Sequence, residues 1–295
     1  MRVFVTGATG FIGAAVVKEL ISAGHKVLGL ARSDEAAKSL AAAGAETHRG
    51  NIEDLESLRS GAAAADGVIH LGFNHDFSKF IENCENDKRA IEAMGSVFVG
   101  SDRPILITSG TGIGLMEHGK PATEDGFNTD HPNPRIASEL AANAILACGV
   151  NVSVVRLPQV HDTAKQGLIS FAIPIAREKG VSAYIGDGRN RWPAAHASDV
   201  ARLYRLALEK HEKGARYHAV AEEGVTMREI AETIGRGLKV PVKSISAEEV
   251  QAHFGWLAMF AGFDMPASSA ITRKKLGWNP TGPGLIADLD RMNYA

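Results

Sequence analysis

Residues 2–6 read Arg-Val-Phe-Val-Thr, a β-branched and aromatic run that predicts a strand. Behind it Ile12, Val16 and Leu20 recur at helical spacing across 11–23, and Gly24 stands where a helix C-cap belongs. Residues 26–30 predict a second strand, and 34–43 a second helix stopped by Gly44. Further strands are expected at 45–48, 67–71, 104–108 and 152–156, with helices at 52–60, 78–94 and 134–148. Strands that alternate with helices in this way imply an α/β Rossmann fold with a doubly wound parallel sheet.

After Pro158 the pattern loosens. Helices are expected at 167–179, 198–210, 227–238 (with Thr226 as N-cap), 247–263 and 285–292. We expect residues 1–160 to form a dinucleotide-binding domain, with 190–220 returning to it. Residues 161–189 and 221–295 are then a small C-terminal α/β substrate lobe.

Charge and composition narrow the function. The 32 Lys+Arg and 34 Asp+Glu leave a net charge of −2, without the basic footprint of a nucleic-acid binder. No apolar run approaches the roughly 18 residues of a membrane span, and no leader pattern opens the chain. Cys84 and Cys148 are too few for a disulfide framework or a four-cysteine zinc site. The expectation is a cytoplasmic protein acting on a small molecule, without nucleic-acid or membrane partners.

The strongest motif is Thr6-Gly7-Ala8-Thr9-Gly10-Phe11-Ile12-Gly13, placed after the first strand and opening the first helix. Gly7 permits a tight turn, Gly10 lets backbone approach a pyrophosphate, and Gly13 lets helix and strand pack closely. The helix N-terminus offers free N–H groups and the positive end of its dipole. A ribose-binding acid belongs at the end of the second strand, but Leu30-Ala31-Arg32-Ser33 stands there. Arg32 offers a fork for a 2′-phosphate and Ser33 a hydroxyl, so NADP(H) is preferred to NAD(H). The alternative is that Arg32 is merely solvated.

With these residues the chain resembles the extended and atypical branch of the short-chain dehydrogenase/reductase superfamily, the epimerase/dehydratase-like proteins. Other segments resemble it in order. Gly50-Asn51-Ile52 looks like the adenine-contacting segment, with Asn51 where the family usually has Asp. Leu71-Gly72-Phe73 resembles the loop under the cofactor, and Thr108-Ser109-Gly110 the serine-bearing strand end. Arg156-Leu157-Pro158-Gln159-Val160 resembles the segment against nicotinamide. The runs 192–201 and 276–280 resemble later family marks. The resemblance implies cofactor contacts from Leu157, Pro158 and Val160, and a homodimer through the helices near 80–95 and 134–148.

One departure matters. The family's core is a Ser or Thr, then a Tyr with a Lys four residues on, which protonates the substrate oxygen. By register Arg135 stands in the tyrosine position and Glu139 in the lysine position. The four tyrosines (Tyr184, Tyr204, Tyr217 and Tyr294) have no lysine four residues after them. That argues against tyrosine-assisted reduction and against sugar epimerisation. Ser109 remains available to bond a substrate oxygen or, alternatively, backbone. Arg135 and Glu139 could be a plain surface pair, but Arg ahead of Glu near a helix N-terminus is the poorer order. Arg135 is therefore a candidate fixed cation facing cofactor or substrate. His161 is a candidate proton donor, or else a loop histidine. His70, His196 and Asp199 are expected to bond within the fold, and His75 and His131 carry weaker signals.

The stretch with Phe254, Trp256, Leu257, Met259, Phe260, Phe263 and Met265 is expected to be mostly core, part of it lining an apolar pocket. The reading is an NADP(H)-dependent oxidoreductase delivering hydride to a small apolar carbonyl, enone or quinone. A non-catalytic NADP(H)-sensing regulator and a nucleotide-sugar epimerase or dehydratase are the alternatives.

Overall fold

The structure, a computed structural model, describes residues 1–117 and 119–294. Its strands are β1 (Arg2–Thr6), β2 (Lys26–Ala31), β3 (Glu46–Arg49), β4 (Gly67–His70), β5 (Pro104–Gly110), β6 (Asn151–Leu157), β7 (Gln159–His161), β8 (Ser182–Ile185), β9 (Arg191–His196), β10 (Arg216–His218), β11 (Glu222–Thr226) and β12 (Val242–Ile245). The helices are α1 (Phe11–Ser22), α2 (Asp34–Ala42), α3 (Leu55–Ala63), α4 (Phe80–Ser96), α5 (Ile136–Ala147), α6 (Ile169–Lys179), α7 (Ala197–Lys210), α8 (Met227–Leu238), α9 (Val250–Phe254), α10 (Ala258–Ala261), α11 (Ala270–Leu276) and α12 (Leu285–Arg291).

Seven strands form one parallel sheet in the order β10-β6-β5-β4-β1-β2-β3. The chain runs outward from β1 to β3, then restarts at β4 on the other side of β1. The crevice at this reversal, outside the carboxyl ends of the strands, is where such sheets take ligands. One face of the sheet is buried under α1 and α7, through Val16, Leu20, Val200 and Leu203. The other is buried under α3, α4 and α5, through Leu58, Ile91, Met94 and Ile145. These residues fall at the three- and four-residue steps of an apolar helix stripe, so burial selects the docked face.

The region 190–220 divides. Helix α7 and strand β10 join the large sheet. Strand β9 instead lies between β7 and β11 in a second, three-stranded sheet. The pair β8-β12, helices α6 and α8, and α12 complete the lobe around Ile169, Trp192, Ile230 and Leu289. Thr226 caps α8 in a reciprocal box with Glu229.

Three sequence expectations need correction. Residues 247–263 do not form one helix, because Gly255 adopts φ 56° and separates α9 from a short turn and α10. Helix α3 starts at Leu55, not at residue 52: Asp54 accepts the Ser57 N–H at 3.0 Å and fixes the start. Helix α5 starts at Ile136, so Pro134 lies outside it and Arg135 is its capping residue.

Candidate active site

The glycine loop joins β1 to α1. Gly7 has φ +64°, and a Cβ there would lie 2.8 Å from the backbone of Leu71 and Gly72. Gly10 precedes α1 and donates its N–H to the Gly7 carbonyl at 2.9 Å. A Cβ on Gly13 would come within 2.0 Å of that same carbonyl oxygen. No side chain caps α1, and its first turn holds no acid. Its N–H groups and positive dipole end are left to an anion. The cradle fits a dinucleotide pyrophosphate.

The loop opens on a cleft of about 2280 Å³. Gly7, Thr9, Gly10, Phe11, Ile12, Gly13, Arg32, Asn51, Ile52, Leu71, Gly72, Phe73, Leu157, Pro158 and Val160 all line it. Ser33 does not. Its hydroxyl accepts the Ala36 N–H at 3.2 Å and caps α2. Asn51 lines the cleft, but its Oδ1 already accepts the N–H groups of Glu53 (2.8 Å) and Asp54 (3.1 Å). At the end of β2 the cleft wall is Leu30, Arg32 and Ala36, with no carboxylate between them. Asp34 is turned to Arg49.

Ser109 and Arg135 face the same cleft. Among the described residues the Ser109 hydroxyl is buried without a hydrogen-bond partner. It lies near enough to Glu139 to favour that carboxylate, without the geometry of a bond. Arg135 does not pair with Glu139. Its Nη1 donates to Asp87 Oδ2 at 2.6 Å and to the Ser138 hydroxyl, and its Nη2 to the Thr108 carbonyl at 3.0 Å. Its guanidinium lies 4.1 Å from the centre of the Phe73 ring.

Glu139 is fully buried and bidentate with Arg156, at 2.7 and 2.8 Å, and also accepts from Arg216 at 2.9 Å. Burial opposes its ionisation, but the bonds and charge of Arg156, with the bond from Arg216, hold the carboxyl below the ordinary glutamate range. Arg156, placed by sequence in a segment over the cofactor, is wholly buried and spends its donors on Glu139, on the carbonyls of Thr123 and Gly126, and on His218 Nε2 at 3.2 Å.

His161 is not brought to the cleft. Side chains alternate along β7. Val160 therefore points into the cleft while His161 points to α12 and is fully buried, 2.7 Å from Asp288. Burial pushes its imidazole down. His75 and His131, the weaker candidates, do line the cleft. Burial lowers the pKa of both, and Arg135 lowers that of His75 further. Among the described residues no tyrosine lines the cleft. Tyr204 is buried under the sheet with its hydroxyl 2.7 Å from that of Thr108, and burial pushes its pKa up.

The far wall is aromatic: Phe73, Phe77, Phe171, Phe260 and Phe263 line it with Met259 and Met265. Phe77 stacks on Trp256 at 4.6 Å and 15° between planes, so the two halves of the protein meet over the opening. Phe254 and Leu257 are core.

A glycine cradle at the switch point, roofed by a C-terminal lobe, defines a nicotinamide-dinucleotide protein of the extended short-chain dehydrogenase/reductase class. The chain belongs to the NAD dependent epimerase/dehydratase family, whose model matches residues 3–221. It is 48% identical to an uncharacterised Schizosaccharomyces pombe protein over 295 residues, all of both chains. It is 40% identical over 285 residues to 4-hydroxy-2-methyl-3-oxo-4-farnesyl-3,4-dihydroquinoline-1-oxide ketoreductase of Stigmatella aurantiaca, covering 90% of this chain and 84% of that one. The solved structure of the dTDP-glucose 4,6-dehydratase DesIV from Streptomyces venezuelae, with NAD and TYD bound, shares the fold. Its TM-score is 0.78 at 19% identity, over 99% of this chain and 96% of that one. Among the described residues no helix is long and apolar enough to cross a membrane.

Proposed function

We propose that the protein is an NADP(H)-dependent oxidoreductase that reduces a small apolar carbonyl, enone or quinone without the tyrosine–lysine dyad. One observation carries this reading. A single cleft runs from the glycine loop, past Ser109 and Arg135, to an aromatic wall. Such a wall suits apolar rings. The ketoreductase relative from Stigmatella agrees with it.

The bound dinucleotide would supply the hydride. Ser109 donates its proton as a hydrogen bond to the substrate oxygen, since its buried hydroxyl makes no well-formed hydrogen bond among the described residues. Arg135 holds a positive charge beside that oxygen as negative charge develops, but never releases a proton. His161 is out of reach, so the proton comes from water, relayed by His75, which lines the cleft. Burial and the charge of Arg135 favour its neutral imidazole, whereas His131 already accepts the Asn133 N–H at Nδ1, at 3.1 Å.

NADPH consumption, followed by absorbance against ketones, enones, quinones and aldehydes, tests the reading. Turnover of at least one class is expected. Silence across the panel, with NADPH demonstrably bound, rejects the enzyme and favours a dinucleotide sensor. Arg32 supports NADPH as the partner, being the cleft residue at the end of β2. Arg32→Asp is expected to shift the ratio of NADPH to NADH dissociation constants by roughly 10- to 100-fold towards NADH, the worth of a bond to a charged group. An unmoved ratio removes Arg32 as the 2′-phosphate clamp.

A further inference from the structure

This inference rests on the reading just given, in which Arg135 is the fixed cation of the site. The geometry points to Asp87 as the residue that positions this cation, at one end of a buried chain whose other end holds the cofactor cradle. Asp87 lies on α4. Its Oδ2 accepts from Arg135 Nη1 at 2.6 Å and from the Ser138 hydroxyl at 2.6 Å. Its Oδ1 lies 3.1 Å from His70 Nε2 at the end of β4. His70 Nδ1 is 2.6 Å from the hydroxyl of Thr6, the last residue of β1, and that oxygen also accepts the Gly72 N–H at 3.0 Å. Gly72 is the residue against which Gly7 turns.

An ionised carboxylate only accepts, so His70 donates to Asp87 from Nε2, and its Nδ1 bonds the Thr6 hydroxyl. Thr6, His70, Asp87 and Ser138 are all buried, and each polar atom in the chain is satisfied. Burial opposes ionisation of Asp87, but Arg135, His70 and Ser138 draw its carboxyl below the usual range.

Arg135 is therefore fixed by a carboxylate, a hydroxyl, a carbonyl and a ring face. Those bonds use three of its five N–H groups, leaving Nε and one Nη2 hydrogen for a ligand. A buried ion pair contributes little net stability compared with well-packed apolar residues. Here it sets the place of a charge relative to the loop that seats the cofactor, which an apolar pair could not do.

The test compares Asp87→Asn, Arg135→Gln and the double variant with the wild type, using the compound that wild type reduces best. If Asp87 acts through Arg135, Asp87→Asn lowers kcat by about 10²-fold, the cost of a misplaced group. NADPH affinity stays near that of the wild type, and the double variant is no slower than Arg135→Gln. Losses that multiply in the double variant, or a kcat for Asp87→Asn near wild type, overturn the proposal. Labelling of Arg135 by phenylglyoxal, located by peptide mass mapping, reads positioning without turnover. Faster labelling in Asp87→Asn is expected, and equal rates overturn the proposal. Silence in the reduction panel with faster labelling would instead reject the oxidoreductase reading and leave the positioning role standing. Should Asp87→Asn not fold, Ser138→Ala keeps both charges and removes one bond to Asp87. Labelling and kcat both unchanged there would likewise overturn the proposal.

Discussion

Gly10→Val is expected to abolish NADPH binding while leaving a folded protein. Gly10 is the residue at the mouth of α1, with φ −73° and ψ 171°, a backbone that any residue can adopt. A Cβ there would sit 3.1 Å from the Gly7 carbonyl oxygen, tight but tolerable. The rest of the valine side chain, however, enters the cleft in front of the first-turn N–H groups. A pyrophosphate kept from two such donors loses about 1.5–3 kcal/mol for each, roughly 10²- to 10⁴-fold in affinity together. Fluorescence titration with NADPH, beside a thermal melt, measures both quantities. Affinity near wild type would remove the loop from the binding site. Gly13→Ala makes the contrast: its Cβ would meet the Gly7 oxygen at 2.0 Å, so it is expected to lower the melting temperature as well.

Glu139→Ala is expected to cost about 3–5 kcal/mol of folding stability, because it strands the buried charge of Arg156. Arg156 and Glu139 are both 0% exposed at their side chains, so water cannot take over the lost bonds. Arg216 keeps partial solvent contact and a second partner in Asn143, and adds less to the loss. The pair also predicts a pH dependence. The folded carboxyl titrates below its unfolded value, so its contribution is complete above the unfolded glutamate pKa of about 4.3. It is lost as pH falls through the folded value. Urea melts should show Glu139→Ala converging on wild type as the pH is lowered through that window. A constant gap between the two proteins at every pH would separate the stability from the ionisation.

How much of this was readable in advance depends on range. The bounds of β1 and α8 follow from apolar period and capping residues that lie next to each other in the chain. The glycine loop is legible for the same reason, since Gly7, Gly10 and Gly13 answer to backbone within one turn or to the neighbouring strand. Arg135 stands out in the sequence because its position opposes the helix dipole, a local misfit that points it at cofactor or substrate. Its partner was not legible: Asp87 is 48 residues away and nothing near it in sequence marks it. Glu139, read as the possible mate of Arg135, belongs to Arg156 instead.

The sequence by itself determined the alternation of strand and helix, the glycine loop and the basic residue after β2. Each depends on local backbone freedom, side-chain period or adjacency. Only the tertiary structure decided which side chains meet in the cleft. Strand alternation turned His161 away towards Asp288, a hydroxyl cap withdrew Ser33, and Gly255 broke the aromatic stretch so that part of it lines the cleft. Those outcomes rest on contacts between distant segments, and a buried charge takes the partner that folding brings within reach rather than its neighbour in the chain.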